Sequence, residues 1–271
     1  MRIGAKEFNT KDKTYVMGIL NVTPDSFSDG GKYFGLDTAL AHADQMIKDG
    51  AAILDVGGES TRPGYERISD EEEIARVVPV VKALKERFDI PVSVDTYKSK
   101  VAKAAIEAGA DLINDIWGLK ADPDMGKVIA QSGVACCLMH NRKDTDYRVF
   151  VSDLMWDLRE SVDIALRAGI KDDKIILDPG VGFAKSYEQN LLAIKHMGRL
   201  KGIGYGYPIL LGTSRKSVIG LTLDLPSEER LEGTIATSVL AVREGVSFVR
   251  VHDVKENVRA IQMAEKILSA R

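Results

Sequence analysis

The sequence predicts an α/β fold, a single-domain (β/α)8 TIM barrel over residues 1–271 with a short N-terminal hairpin or plug. One supersecondary unit, an amphipathic helix, a glycine, a short apolar run and a polar residue where the run stops, occurs five times. Three further apolar runs bring the candidate strands to eight, alternating with helices over about 250 residues, where a doubly wound sheet usually needs fewer strands. No Pro/Ser-rich linker or shift of composition divides the chain.

In chain order, residues 1–13 are polar and charged and form the hairpin or plug, and the first strand is the run from Thr14 to Asn21. KDGAAILDVGG (48–58) holds the second strand, Pro91 to Asp95 the third, EAGADLINDI (107–116) the fourth and QSGVACCLMH (131–140) the fifth. RAGIKDDKIILDPG (167–180) holds the sixth, Pro208 to Gly212 the seventh and REGVSFVRVHDV (243–254) the eighth. Gly50, Gly109, Gly133, Gly169 and Gly245 suit the left-handed position just past a helix end, where a side chain is strained. The branched runs that follow are apolar on both faces, as parallel strands covered by helices are. Between Ser69 and Phe88, apolar residues at Ile74, Val77, Val78, Val81, Leu84 and Phe88 mark a helix, opened by a capping box of Ser69 and Glu72. Leu154, Leu158, Val162 and Ala165 form a second helical stripe, and Val254, Val258, Ile261 and Leu268 a third.

Thirty-seven Lys and Arg against 40 Asp and Glu leave a formal charge of −3. No overall cationic field exists to attract nucleic acid or an anionic membrane, so any anion site is local. The longest uncharged run, Val128 to Asn141, is too short to span a bilayer, and the N-terminus lacks an export signal. A cytoplasmic protein is expected. Its two cysteines, Cys136 and Cys137, are adjacent in an apolar run and read as core residues in a reducing compartment.

Barrel active sites lie at the C-terminal ends of the strands. The polar terminators there are Asn21, Asp55, Asp95, Asn114, His140, Asp178, Arg250 and His252, joined by Lys216 after the seventh strand. Strand periodicity puts Asn21 on the face of Met17 and Ile19, Asn114 with Leu112, Asp178 with Ile176, and Arg250 and His252 with Phe248, so polar groups cap columns of apolar ones. Asp95 and Asp178 need partners if buried, and a flat heterocycle with paired N–H donors satisfies both while Asn114 donates and accepts. Arg62, Lys216, Arg250 and His252 require an anion, phosphate or diphosphate. The expected pocket has two ends, heterocycle below and anion above.

Three loops border it. NVTPDSFSDGG (21–31) has the composition of a lid, GGESTRPG (57–64) follows the second strand, and GTSRKS (212–217) leads into a helix whose N-terminus favours an anion near Ser217.

At these positions the sequence resembles the dihydropteroate synthases, the folate-pathway enzymes inhibited by sulfonamides. MGILNVTPDSFSDGG, DVGGESTRPG, SVDTYK, INDI, LDPGVGF, LLGTSRKS and RVHDV stand in the family's order over residues 17–254. The resemblance implies a transferase of folate (tetrahydrofolate) biosynthesis that joins 7,8-dihydropterin-6-ylmethyl diphosphate to 4-aminobenzoate. It implies Mg2+ held chiefly by Asn21 and the diphosphate, and a homodimer. It implies that Asp95, Asn114, Asp178 and Lys216 hold the pterin ring, lined by Met139 and Phe183. Thr61, Arg62, Arg250, His252 and Asn21 would hold diphosphate and metal. Phe27, Pro63, Lys216 and Ser217 would shape the aminobenzoate site under a lid bearing Asp29. The expected chemistry is an SN1-like substitution in which Asp95, Lys216, Arg250 and His252 do the catalytic work.

Plainer readings stand beside these. Asp55 ties the ESTRPG loop, His140 bonds a loop, His42 and His196 are solvated, Glu71, Glu72 and Glu73 are the acidic first turn of a helix, and Trp117 and Trp156 pack. Asp95 and Asp178 could form a structural ion pair with Lys216 and Arg250 that closes an inert barrel. The alternative functions are a pterin-dependent methyltransferase of the same fold and a non-catalytic pterin-binding module.

Overall fold

The computed structural model describes residues 1–22, 31–59, 67–204 and 206–270, with the backbone alone for 31–34. Strands β1 (Arg2–Ile3) and β2 (Lys6–Glu7) pair antiparallel as a hairpin. Eight parallel strands follow: β3 (Tyr15–Asn21), β4 (Ile53–Gly57), β5 (Val92–Asp95), β6 (Leu112–Asp115), β7 (Ala135–Met139), β8 (Ile175–Asp178), β9 (Leu210–Leu211) and β10 (Phe248–Val251). Their order is β8-β7-β6-β5-β4-β3-β10-β9, and a parallel bridge between Leu177 and Ile209 brings the two ends together into a barrel.

Around it lie α1 (Gly31–Lys48), α2 (Asp70–Arg87), α3 (Ser99–Glu107), α4 (Met125–Ser132), α5 (Phe150–Ala168), α6 (Tyr187–Lys195), α7 (Ser217–Leu223), α8 (Leu231–Arg243) and α9 (Val254–Leu268). All five unit glycines have positive φ, and Gly133 and Gly169 are the left-handed caps of α4 and α5. A residue there without a Cβ lets the chain turn off the helix and into the next strand without strain.

The period of two divides the core into two layers. Met17, Ile53, Leu112, Ala135, Cys137, Ile176, Leu210 and Phe248 fill the barrel interior. Val16, Leu54, Val94, Ile113, Cys136, Leu177 and Val249 face outward to the helices. The hairpin is a plug: Ile3 and Phe8 join the interior cluster, with the Phe8 ring 5.6 Å from that of Phe248 in an edge arrangement. Both cysteines are buried and free, one in each layer.

Several expectations are corrected. Ser69 caps α2 by accepting from the Glu72 amide, but the Glu72 carboxylate pairs with Arg76 rather than closing a box. Glu73 is no part of a solvated acidic turn: it is buried and paired with Lys98 at 2.8 Å, and Val80 takes the core place expected for Val78. Leu268 is 56% exposed because it ends α9, and the core instead takes Ala264 and the polar Asn257, which accepts from Ser238 at 2.7 Å. Trp156 points outward, 73% exposed. Among the described residues no helix is long and apolar enough to cross a membrane.

Candidate active site

The site begins where the inward-facing columns turn polar. One step beyond Ile53, Leu112, Ile176 and Phe248, strand alternation brings in Asp55, Asn114, Asp178 and Arg250, with Asp95 following Ser93 on β5. The Arg250 guanidinium spans two strands: Nε donates to Asp55 Oδ2 at 2.6 Å and Nη2 to Asp95 Oδ2 at 2.9 Å. Asn114 Nδ2 approaches Asp55 Oδ2 at 3.5 Å. Asp55 therefore belongs to the floor of the barrel mouth, and the loop it is expected to tie lies, from residue 60 to 66, outside the described residues.

These carboxylates are not fully satisfied. Asp55 Oδ1, Ser93 Oγ and Asp95 Oδ1 are buried without a hydrogen-bond partner among the described residues. Buried acceptors left this way are expensive unless a ligand donates to them. Burial pushes the Asp95 carboxyl up to about 7, with Arg250 drawing it down and Asp55 and Glu73 pushing it up.

Asp178 stands on the far side. Burial raises its carboxyl, Lys216 opposes that, and the Gly180 amide donates to Oδ1 at 2.7 Å. Lys216, the cap residue of α7, donates from Nζ to the Val181 carbonyl and lies 4.9 Å above the Phe183 ring. Burial brings its ammonium down to about 8. Gly212 marks the point of convergence: a methyl group placed there would lie 3.8 Å from Asp178 Oδ2, 3.8 Å from Lys216 Nζ and 4.0 Å from Arg250 Cβ. Acids and cations thus share one mouth, and the ion pair of Arg250 with Asp95 leaves an acceptor open.

Apolar walls come from Met139, which packs with Tyr97 and Ile116 against Trp117 and Phe183. On the opposite flank, a cavity of about 370 Å³ is lined by Asn21, Thr38, His42, Arg215 and His252 among others, which draws His42 to the edge of the site. His252 exchanges hydrogen bonds with Ser214, its amide donating to Oγ at 3.1 Å and its Nδ1 lying 2.9 Å from the same oxygen. Ser217 is exposed at the start of α7. Phe27, Asp29, Thr61, Arg62 and Pro63 lie outside the described residues.

A family model described as pterin binding enzyme matches residues 17–252. The chain belongs to the pterin binding enzyme family. It is 62% identical to the dihydropteroate synthase of Clostridium beijerinckii over 99% of both chains. Its fold superposes with a TM-score of 0.94 on the Clostridium difficile dihydropteroate synthase solved in the presence of pteroic acid, at 49% identity over 97% of this chain and 100% of that one. The Xanthomonas albilineans dihydropteroate synthase solved with 4-aminobenzoic acid is 40% identical, with a TM-score of 0.91 over 96% of this chain and 95% of that one.

Apart from His140, which bonds the loop after β8 through Lys185 as its plainer reading has it, sequence reasoning missed two sets of residues in this pterin binding enzyme. Lys98 Nζ donates to Glu59 at 2.7 Å and to the Ile68 carbonyl at 2.8 Å, while Tyr97 donates to Glu59 at 2.8 Å. Burial pushes the Glu59 carboxyl up, but these donors hold it below its ordinary value. The second set, Arg142, Asp157, His140 and Lys185, runs under the loop after β8. The DTYK and PGVGFAKS stretches contained both lysines, but nothing in the spacing separated them from solvated charges.

Proposed function

We infer that this pterin binding enzyme is a dihydropteroate synthase, joining 7,8-dihydropterin-6-ylmethyl diphosphate to 4-aminobenzoate and releasing diphosphate and 7,8-dihydropteroate. The observation that carries the reading is the convergence of Asp95, Asp178, Lys216 and Arg250 on one mouth. The unpartnered oxygens of Asp55 and Asp95 and the buried Asn114 suit the amino and ring N–H groups of a pterin. The solved relatives with pteroic acid and with 4-aminobenzoic acid support both halves of the product.

Asp95, Asn114, Asp178 and Lys216 take the ring, against Met139 and Phe183. Asn21, Arg250 and His252, with Thr61 and Arg62, take the diphosphate. Phe27, Asp29, Pro63 and Ser217 complete the aminobenzoate end. The bond from the exocyclic methylene carbon to diphosphate oxygen breaks with the electron pair leaving on diphosphate. Ring electron release and the Asp95 carboxylate stabilise the carbon cation, so the substitution is SN1-like. The amine nitrogen then supplies its lone pair for the new C–N bond and loses one proton to solvent. Each well-placed donor on the departing charge contributes on the order of 3 kcal/mol in such sites.

The donor set fits Mg2+. Asn21, at the end of β3 and on the wall of the cavity that His252 also lines, is the side-chain oxygen that would hold the ion alongside diphosphate oxygens and water. Bound there, the ion neutralises charge on the leaving group.

The proposal extends to a cytoplasmic homodimer. Leu221 and Leu223 on α7, Val239 and Leu240 on α8, and Met263 and Ile267 on α9 are exposed apolar side chains suited to a second copy, and two free buried thiols suit a reducing compartment. Sedimentation of wild type against Leu240→Lys tests the dimer.

Diphosphate release measured with each organic substrate and Mg2+ omitted in turn tests the reaction. Release only in the complete mixture is expected. Release without 4-aminobenzoate at the same rate, or none in the complete mixture, overturns the assignment.

A further inference from the structure

Lys185 follows the turn after β8 that carries Val181 and Phe183, and its Nζ has three acceptors around it. The Gly180 carbonyl lies at 2.9 Å, the Phe183 carbonyl at 3.0 Å and His140 Nδ1 at 2.8 Å. Three acceptors take the three protons of an ammonium, although burial brings Lys185 down to about 7. His140 is wholly covered, and its Nε2 lies 2.9 Å from Asp157 Oδ2. A carboxylate only accepts, so Nε2 carries the imidazole proton and Nδ1 is left to accept from Lys185. Burial lowers His140 to about 4, which keeps it in this neutral form. Asp157 is fixed in turn by Arg142, whose Nη2 donates to Oδ1 at 3.2 Å and whose Nε donates to Oδ2. Arg142 stacks over Tyr147 at 4.4 Å, and Tyr147 donates to the Ala184 carbonyl at 2.8 Å, which brings the chain of contacts back to the same loop.

The other edge of that turn meets the proposed ring site. The Gly180 amide donates to Asp178, the Val181 carbonyl accepts from Lys216, and the Phe183 ring lies beneath Lys216 Nζ. Gly180 has φ of 67°, and a Cβ there would stand 1.9 Å from the His140 carbonyl oxygen, so the turn is pressed directly onto the end of β7.

We propose that Lys185, oriented by His140 and Asp157, is a positioning residue for the pterin end of the site. It ties the Gly180 and Phe183 carbonyls together so that one rigid turn presents a donor to Asp178, an acceptor to Lys216 and a ring face to the substrate. Lys185 acts through these groups and does not touch the substrate. The inference rests on the assignment of Asp178, Phe183 and Lys216 to the pterin.

The test compares steady-state constants for both substrates in wild type, Lys185→Met, His140→Leu and His140→Asn, with thermal midpoints. Methionine keeps the length of Lys185 without its donors, and asparagine can restore an acceptor near the place of Nδ1. Lys185→Met and His140→Leu are expected to raise KM for the dihydropterin diphosphate about 10-fold or more, leaving KM for 4-aminobenzoate within about twofold, while His140→Asn stays within about threefold of wild type. Should Lys185→Met fail to fold, Lys185→Leu, which also removes every donor, gives the same comparison. Unchanged pterin KM in the lysine and leucine variants, or equal rises in both KM values, overturns the positioning role. Absence of diphosphate release in wild type would instead strike the functional assignment.

Discussion

Arg250 Nε lies 2.6 Å from Asp55 Oδ2 on the floor of the barrel mouth, and that contact divides the arginine between two acids. With Asp55 holding Nε, only Nη2 reaches Asp95, and one Asp95 oxygen stays open. Replacing Asp55 by alanine removes one of the two carboxylates and turns Arg250 fully onto Asp95. Unfolding free energy by urea is expected to fall by about 3 kcal/mol, the scale for breaking a buried pair. Calorimetry with a pterin should show weaker binding, and unchanged affinity would separate the arginine from the ring site.

Asp95 makes stability depend on pH in an unusual direction. Its pKa is raised by burial to about 7, so between about pH 4 and pH 7 the folded chain keeps a proton that the unfolded chain has released. Unfolding free energy therefore decreases as pH rises across that window. Urea midpoints from pH 4.5 to 7.5 should decline for wild type relative to Asp95→Asn, in which the contribution is absent. Parallel curves would contradict the raised carboxyl.

Lys216 sets an alkaline limit. Its pKa, lowered by burial to about 8, means the ammonium is charged below that pH and is lost above it. The value of kcat/KM for the dihydropterin diphosphate should fall as pH rises beyond about 8. Lys216→Met is expected to remove that limb and reduce kcat/KM by about 100-fold, the scale for losing a group that positions the reacting substrate.

Gly212 tests the shared mouth by steric means. Its φ is not in the left-handed region, and the nearest atoms to an added methyl are at ordinary contact distance. Gly212→Ala should leave the thermal midpoint near wild type while raising KM for the pterin substrate roughly 10-fold, because the methyl group occupies space between Asp178, Lys216 and Arg250. A variant with unaltered KM would show that the ligand does not enter there.

All eight strands, the hairpin plug and the inward column of Met17, Leu112, Ile176 and Phe248 were legible from apolar period and glycine placement. Such signals are local: alternation and a left-handed cap depend on neighbours within a few residues. Buried acids were less legible. Glu73 looks like a dipole-favouring residue in a first turn, and only Lys98, 25 positions later and across two elements, makes its burial affordable. Asp157 likewise sits in a helix among other charges, with nothing nearby to announce His140 as its partner.

By itself, then, the sequence determined the order of strands and helices, the face on which each strand-end polar group emerges, and through its motifs the family. Tertiary structure decided the pairing: that Arg250 divides itself between Asp55 and Asp95, that Lys185 binds the turn after β8, and that Leu268 and Trp156 stay outside. The physical reason is range. Periodicity and capping act over a few residues along the chain, whereas the partner of a buried charge is chosen by whichever donors the closed barrel brings within about 3 Å.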